Sequence, residues 1–369
     1  MAEYKNQHYV PKYLLRGWTD NERVPVYNID NKQEYPPTSI SNLCSEDYFY
    51  GGPEVEQSMD GLEDLHANVI NKIRDERSFN TLSDSEVRFF CVFVLLQRTR
   101  TKQTKKETEQ LIDNLAKEYI QLKVESGEVD PELPSGKNAL DILDDYKITH
   151  ESPLSYPMLQ ALTGIELIID LEVAILENKT DLEFVISDHP VVHDNPRFKY
   201  EIDKYLIGTQ NRGLQIFVPF SDEVQVMLYD PAAYFVEYTN QEERKVTITS
   251  ETPVEGLNDV QMINAFESIY YRNSGQEERF RDAQRRLAEY INENSTTFER
   301  LAPDEHDFET QNEMIESGRP LTDYSPTLPF VKQRLETDFA IERRPAVIQR
   351  HRNFIDEILE DAREKFEDG

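Results

Sequence analysis

A chain of 369 residues with 71 acidic and 40 basic side chains carries a formal net charge of −31, a field that repels nucleic acid from any surface lacking a local basic patch. A hydrophobic content of 38%, with 10% aromatics, is too high for wholesale disorder, and the longest apolar run, residues 89–96, falls far short of the roughly 20 residues of a membrane span. Two cysteines, Cys44 and Cys91, supply neither a disulfide framework nor a zinc spacing. Carboxylates recur along the whole chain and are densest at residues 356–368, which favours a generally acidic, solvated surface over one concentrated acidic face. The first residues show neither a basic n-region nor an apolar h-region, so a soluble cytoplasmic protein is expected.

Residues 1–55 are rich in aromatics, proline and turn signals. Val24-Pro25-Val26-Tyr27-Asn28 predicts an edge strand, because proline cannot donate to a central ladder. From Glu56 the period becomes helical, with Met59, Leu62, Leu65, Val69, Ile70 and Ile73 on one face. Ser83 and Glu86 predict a capping box that opens a long helix. Its stripe of Val87, Phe90, Cys91, Val94 and Leu95 is widened by Phe89 and Phe93, the pattern of a buried helix. Past Gln97-Arg98-Thr99-Arg100 the same helix is expected to continue, charged and exposed, to about Lys123. A loop over 126–136 and a helix over 159–177 follow. Strands are predicted over 182–186 and 246–249, and 214–220 with 224–229 reads as a hairpin. Residues 257–271 read as helical. After Gly275 the chain is charged and expected to be mostly helical, broken by Pro303, Pro320, Pro326 and Pro329. A last helix over 345–366 carries Val347, Ile348, Phe354, Ile355, Ile358 and Leu359 as an apolar stripe. The expectation is an α+β protein, mainly a helical bundle packed against a small mixed or antiparallel sheet. A single core domain over 1–274 precedes a helical extension over 275–369, whose helices offer a route to self-association.

Three short segments place ionisable groups at the edge of the apolar runs. In His8-Tyr9-Val10-Pro11-Lys12-Tyr13-Leu14-Leu15-Arg16-Gly17-Trp18 the apolar residues anchor the segment, while His8 and Arg16 supply a titratable base and a permanent cation. Gln97, Arg98 and Arg100 end the buried helix with forks suited to carboxylate or phosphate; the competing reading is structural ion pairing, with Glu56 or Glu63 as the partner of Arg98. Ser187-Asp188-His189-Pro190 follows a predicted strand, where Asp188 either orients His8 or His189 or caps local backbone. The spacing of His189 and His193 matches metal ligands on a helix, but Pro190 and two valines argue against the helix, so no metal site is assigned. The glycine-rich phosphate loops, the nucleophile elbow and the zinc-protease motif are all absent.

Taken in order, the His8–Trp18 segment, the Gln97-Arg98-Thr99 helix end, Ser187-Asp188-His189-Pro190-Val191 and Phe217-Val218-Pro219-Phe220-Ser221 resemble the family of domain of unknown function 4238. Its members are similar to H-x-V-P-x-x-x-L-x-x-F at the start and S-D-N-P-V later, with Trp18 here in place of Phe and His189 in place of Asn. The likeness spans about residues 6–272. It implies no activity, but it puts His8 and Asp188 on matching positions and His189 on a departing one. Two functions follow from the residues. In a hydrolase of phosphodiesters, in nucleic acid or nucleotides, His8 serves as acid or base and Asp188 as its orienter or a metal ligand, while Arg16, Gln97, Arg98 and Arg100 hold the anion. In a non-catalytic binding or scaffold protein the same groups form a buried polar network. A solvent-reachable cleft shared by His8, Asp188 and an arginine separates the first from the second.

Overall fold

The structure, a computed structural model, describes residues 6–51, 53–130, 132, 136, 138–197, 208–292, 297–301, 314–318, 322–334, 344–350 and 353. A short strand β1 (Asn6–His8) leads into one helical turn, α1 (Lys12–Leu15), and a 3-10 turn at Arg16–Trp18. Tyr13, Leu14, Leu15 and Trp18 are buried there, and the Trp18 indole donates to the Phe184 carbonyl at 2.7 Å. Gly17 permits this docking, since a Cβ would lie 2.1 Å from the Phe220 carbonyl oxygen. Strands β2 (Arg23–Asn28) and β3 (Gln33–Ser39) follow, and then β4 (Ser45–Asp47), which pairs antiparallel with β1.

Three long helices come next. In α2 (Pro53–Glu76) the inward positions are Met59, His66, Val69, Ile70 and Ile73, and Leu65, expected inside, is 40% exposed. The helix α3 (Asp84–Thr99) opens with the expected capping box of Ser83 and Glu86. It then ends: Arg100 leaves helical geometry and Thr101 caps a separate helix, α4 (Lys102–Glu125). The single continuous helix read from the sequence is therefore two helices. Arg100 and Thr101 both turn inward, to Glu63 and to the buried His189, and the chain direction breaks there.

The predicted helix over 159–177 is also corrected. After α5 (Ala139–Ile142), α6 (Ser155–Thr163) stops at Gly164, and β5 (Glu172–Asn178) takes the rest of the apolar run. Val173 and Ile175 face one core cluster and Ala174 and Leu176 another. A strand covered on both faces is apolar without alternation, a pattern that periodicity cannot tell from a buried helix. The remaining strands are β6 (Ile186–Ser187), β7 (Val192–Asp194), β8 (Gln215–Pro219), β9 (Val224–Tyr229), β10 (Tyr234–Val236) and β11 (Lys245–Ile248). The expected hairpin is β8–β9. The segment read as helix over 257–271 splits into α7 (Glu251–Asn264) and β12 (Ser268–Tyr270).

Two sheets result. A five-stranded one runs β11-β5-β9-β8-β7, parallel only at β11–β5. One face packs against α2, α3 and α6, and the other packs against α7, with Val254, Leu257 and Val260. A four-stranded antiparallel sheet runs β3-β2-β12-β6. Here β2 is interior rather than an edge, and a register shift between Val24 and Val26 accommodates Pro25. The fold is mixed α and β, with several small sheets among the helices where one small sheet under a helical bundle was expected.

Beyond residue 275, α8 (Glu277–Arg286) and α9 (Ala288–Asn292) are helical, but β13 (Thr297–Leu301), β14 (Met314–Gly318) and β15 (Val331–Gln333) are strands. Phe280 and Leu287 pack with Tyr27 and Ile269 of the small sheet, and β15 pairs with β10. Residues 345–350 and 353 are helical, and the rest of the predicted 345–366 helix lies outside the described residues. No described helix is long and apolar enough to cross a membrane.

Candidate functional site

The helix break at Arg100 organises the first group of motif residues. The Arg100 guanidinium is fully buried and donates to Gln97 Oε1 (2.9 Å), Glu63 Oε1 (2.6 Å) and the Tyr13 hydroxyl (3.3 Å). Gln97, also buried, donates from its amide to the Tyr9 carbonyl at 2.9 Å. The Tyr50 hydroxyl donates to the His8 carbonyl, and the Tyr50 N–H donates to Gln7. The end of α3, the middle of α2 and residues 6–18 are thereby joined through one ion pair whose arginine is fully buried. Such a pair is costly to break, because the arginine left behind is uncompensated.

Two histidines flank this pair. His8, half-buried on β1, has a buried Nε2 without a hydrogen-bond partner among the described residues. Burial, and then Lys12, lower its pKa against the pull of the Ile40 backbone and then of Glu63. His66 lies one helical turn beyond Glu63, fully buried, with neither ring nitrogen hydrogen-bonded among the described residues. Its ring meets Phe93 edge-on at 5.7 Å. Burial, and then Arg100, bring its pKa down to about 3, so the imidazole is neutral near pH 7. Sequence reasoning missed His66, although its i, i+3, i+7 spacing from Met59 to Val69 and Ile73 marks the inward face.

Ser187-Asp188-His189-Pro190-Val191 forms the crossover between the sheets, from β6 in the smaller to β7 in the larger. Asp188 is buried. One carboxylate oxygen accepts from the Phe266 N–H at 2.8 Å, and the other from Glu267 at 2.8 Å and Ser268 at 3.1 Å. These groups form the turn from α7 into β12. Burial, opposed by the N–H groups, leaves the carboxyl pKa raised to about 7. Three amides of α7, spaced every third residue, satisfy the backbone of the crossover and of the segment leading into it. Asn258 accepts from Val185 N–H and donates to Glu183. Gln261 accepts from Ser187 and donates to Pro190, and Asn264 donates to His189 and Val191. The His189 ring meets the Thr101 hydroxyl at 2.7 Å, tying the crossover to the α3–α4 break.

The other expected ligand-holding cations are placed differently. Arg98 donates to the Val191 carbonyl at 3.3 Å, and burial lowers its pKa despite Glu107. Of the carboxylates expected beside Arg98, Glu63 pairs with Arg100, and the Glu56 side chain lies outside the described ones. Arg16 stands apart, about half exposed and paired with Glu22 at 2.7 Å. Among the described residues no hydrogen bond joins His8 to Asp188, and the backbone occupies both Asp188 oxygens. Nor does any group of three or more His, Cys, Asp or Glu among them have the arrangement of a metal site. Clefts do open elsewhere. One of about 400 Å³ between α7 and α8 is lined by Glu255, Asp259, Phe280 and Arg286, and another of about 300 Å³ by Phe79, Leu82, Cys91 and Ile169. Neither is lined by any of the six expected site residues.

The motif segments thus stand in one three-dimensional arrangement, and the model of the family described as protein of unknown function, DUF4238, matches residues 6–275. The chain belongs to the DUF4238 family. The match stops just before α8, so the DUF4238 region contains the two larger sheets, the Arg100 network and the Asp188 junction, and leaves out α8, α9 and the later strands. No curated protein and no solved structure matches the chain.

Proposed function

We propose that this DUF4238 protein is a non-catalytic binding or scaffold protein whose His, Asp and Arg motifs are a structural polar network. The observation that carries the reading is Asp188, buried with both oxygens accepting from the backbone of the α7–β12 turn. Three of the roughly four acceptor sites of this buried carboxylate are taken by backbone N–H groups, which supports a role in holding the junction over one in orienting a catalytic histidine. Arg100 supports the same reading, because its guanidinium is fully buried and already paired with the carboxylate of Glu63. Binding would then fall to the acidic outer surface.

One observation favours the second reading, a phosphodiester hydrolase. His8 keeps a ring nitrogen without a partner among the described residues, beside the Arg100–Glu63 pair, as an acid or base awaiting substrate would. The deciding experiment incubates wild type and His8→Ala with RNA, single- and double-stranded DNA and nucleotides, with and without Mg²⁺ or Mn²⁺. No cleavage by wild type is the expected result, together with Asp188→Asn and Arg100→Met lowering the melting temperature. Cleavage that vanishes in a still-folded His8→Ala protein overturns the scaffold reading in favour of the hydrolase.

A further inference from the structure

The helix α4 is 24 residues long, and none of its side chains is buried. An isolated helix of this kind is marginal in water, since most helical stability in proteins comes from packing an apolar face. Yet α4 has such a face. Ile112, Leu115, Tyr119 and Leu122 follow the alternating three- and four-residue spacing of a coiled-coil seam. Leu115 is 43% exposed, Tyr119 62% and Leu122 48%.

We propose that this seam is a self-association surface on which α4 pairs antiparallel with α4 of a second copy of the chain. Charge favours a second copy. Within a protein of net charge −31, α4 balances Lys102, Lys105, Lys106, Lys117 and Lys123 against Glu107, Glu109, Asp113, Glu118 and Glu125. This neutral surface is where two acidic molecules approach with least repulsion. Orientation follows from where the helix is rooted. Thr101, its cap, is buried in the body, and the helix spans about 36 Å at 1.5 Å per residue. Antiparallel pairing sets the two acidic bodies at opposite ends of the pair and opposes the two helix dipoles; parallel pairing would crowd the bodies together.

The antiparallel register follows from the seam. Ile112 packs on Leu122 of the second copy and Leu115 on Tyr119, while the small Ala116 meets its counterpart beside the two-fold axis. Glu109 then faces Lys123 of the second copy, twice per dimer. Within one chain Glu109 is paired with Lys147 at 2.7 Å and Lys123 with Glu128, so both charges already stand at the helix surface. The surface is separate from the Arg100 and Asp188 networks and holds whether or not the protein is an enzyme.

Sedimentation equilibrium of the full chain across a concentration series tests the proposal. Wild type is expected to be dimeric, and Leu115→Glu/Tyr119→Glu monomeric with the body still folded. Glu109→Lys alone is expected to weaken the dimer about tenfold, and adding Lys123→Glu to restore it. A monomeric wild type overturns the proposal, as does a double-glutamate variant that remains dimeric. A charge swap that fails to rescue overturns the antiparallel register.

Discussion

At the crossover between the two sheets, the buried Asp188 carboxylate accepts from three backbone N–H groups. Beneath the N-terminal segment, His66 is buried just as deeply, yet neither ring nitrogen has a hydrogen-bond partner among the described residues. The motif residue is the satisfied one, and the residue that no motif marked is the unsatisfied one. A short sequence motif can therefore record how a junction is held together, and polar groups with spare bonding capacity need not lie within it. Burial alone does not separate the two cases; the count of partners does.

The largest effect is expected at the centre of the N-terminal network. Glu63→Ala leaves the fully buried Arg100 guanidinium without its carboxylate and is expected to cost about 3 kcal/mol in urea denaturation, the low end for a broken buried pair because Glu63 is about a third exposed. A cost near zero would mean that Gln97 and Tyr13 satisfy the guanidinium unaided. Next comes Asp188→Asn, whose amide nitrogen must face at least one of the three N–H donors, at about 1–3 kcal/mol. Loss of hydrogen-exchange protection confined to residues 266–268 would place the damage at the α7–β12 turn.

A pH series sharpens the comparison, because the two groups titrate in opposite senses. His66 has a folded pKa of about 3, below its ordinary 6.5. Its contribution is present above pH 6.5 and is lost as pH falls toward 3, at a slope of at most about 1.4 kcal/mol per pH unit. Asp188 has a folded pKa raised to about 7 from 3.8. Its contribution is complete below pH 3.8 and is lost as pH rises through 7. Replacing His66 with Leu is expected to reduce the stability lost between pH 6.5 and 4, and replacing Asp188 with Asn to reduce the stability lost between pH 4 and 7.5. Equal pH profiles for wild type and both variants would remove the contrast between them. The smallest effect is expected at Arg16, where Arg16→Ala breaks an exposed pair with Glu22 and should change stability by less than about 1 kcal/mol.

Signals that act within a few residues were legible in the chain. The Ser83–Glu86 capping box, the apolar face of α2 and the β8–β9 hairpin each depend on neighbours close in sequence, and the likeness to DUF4238 rested on short ordered segments. Local pattern failed where burial on both sides erased it. The Val173–Leu176 run is a strand between two cores, and Pro25 sits inside a sheet because a bulge absorbs its missing N–H. Nothing near Arg100 announced the helix break, since the partners met there, Glu63 and His189 by way of Thr101, lie 37 and 88 residues away. Asp188 finds its donors 78 to 80 residues along the chain. The sequence alone determined which residues could bury, cap or ionise. Only the tertiary structure decided which were given partners, because a buried polar group is satisfied by whatever backbone the long-range packing brings within about 3 Å of it.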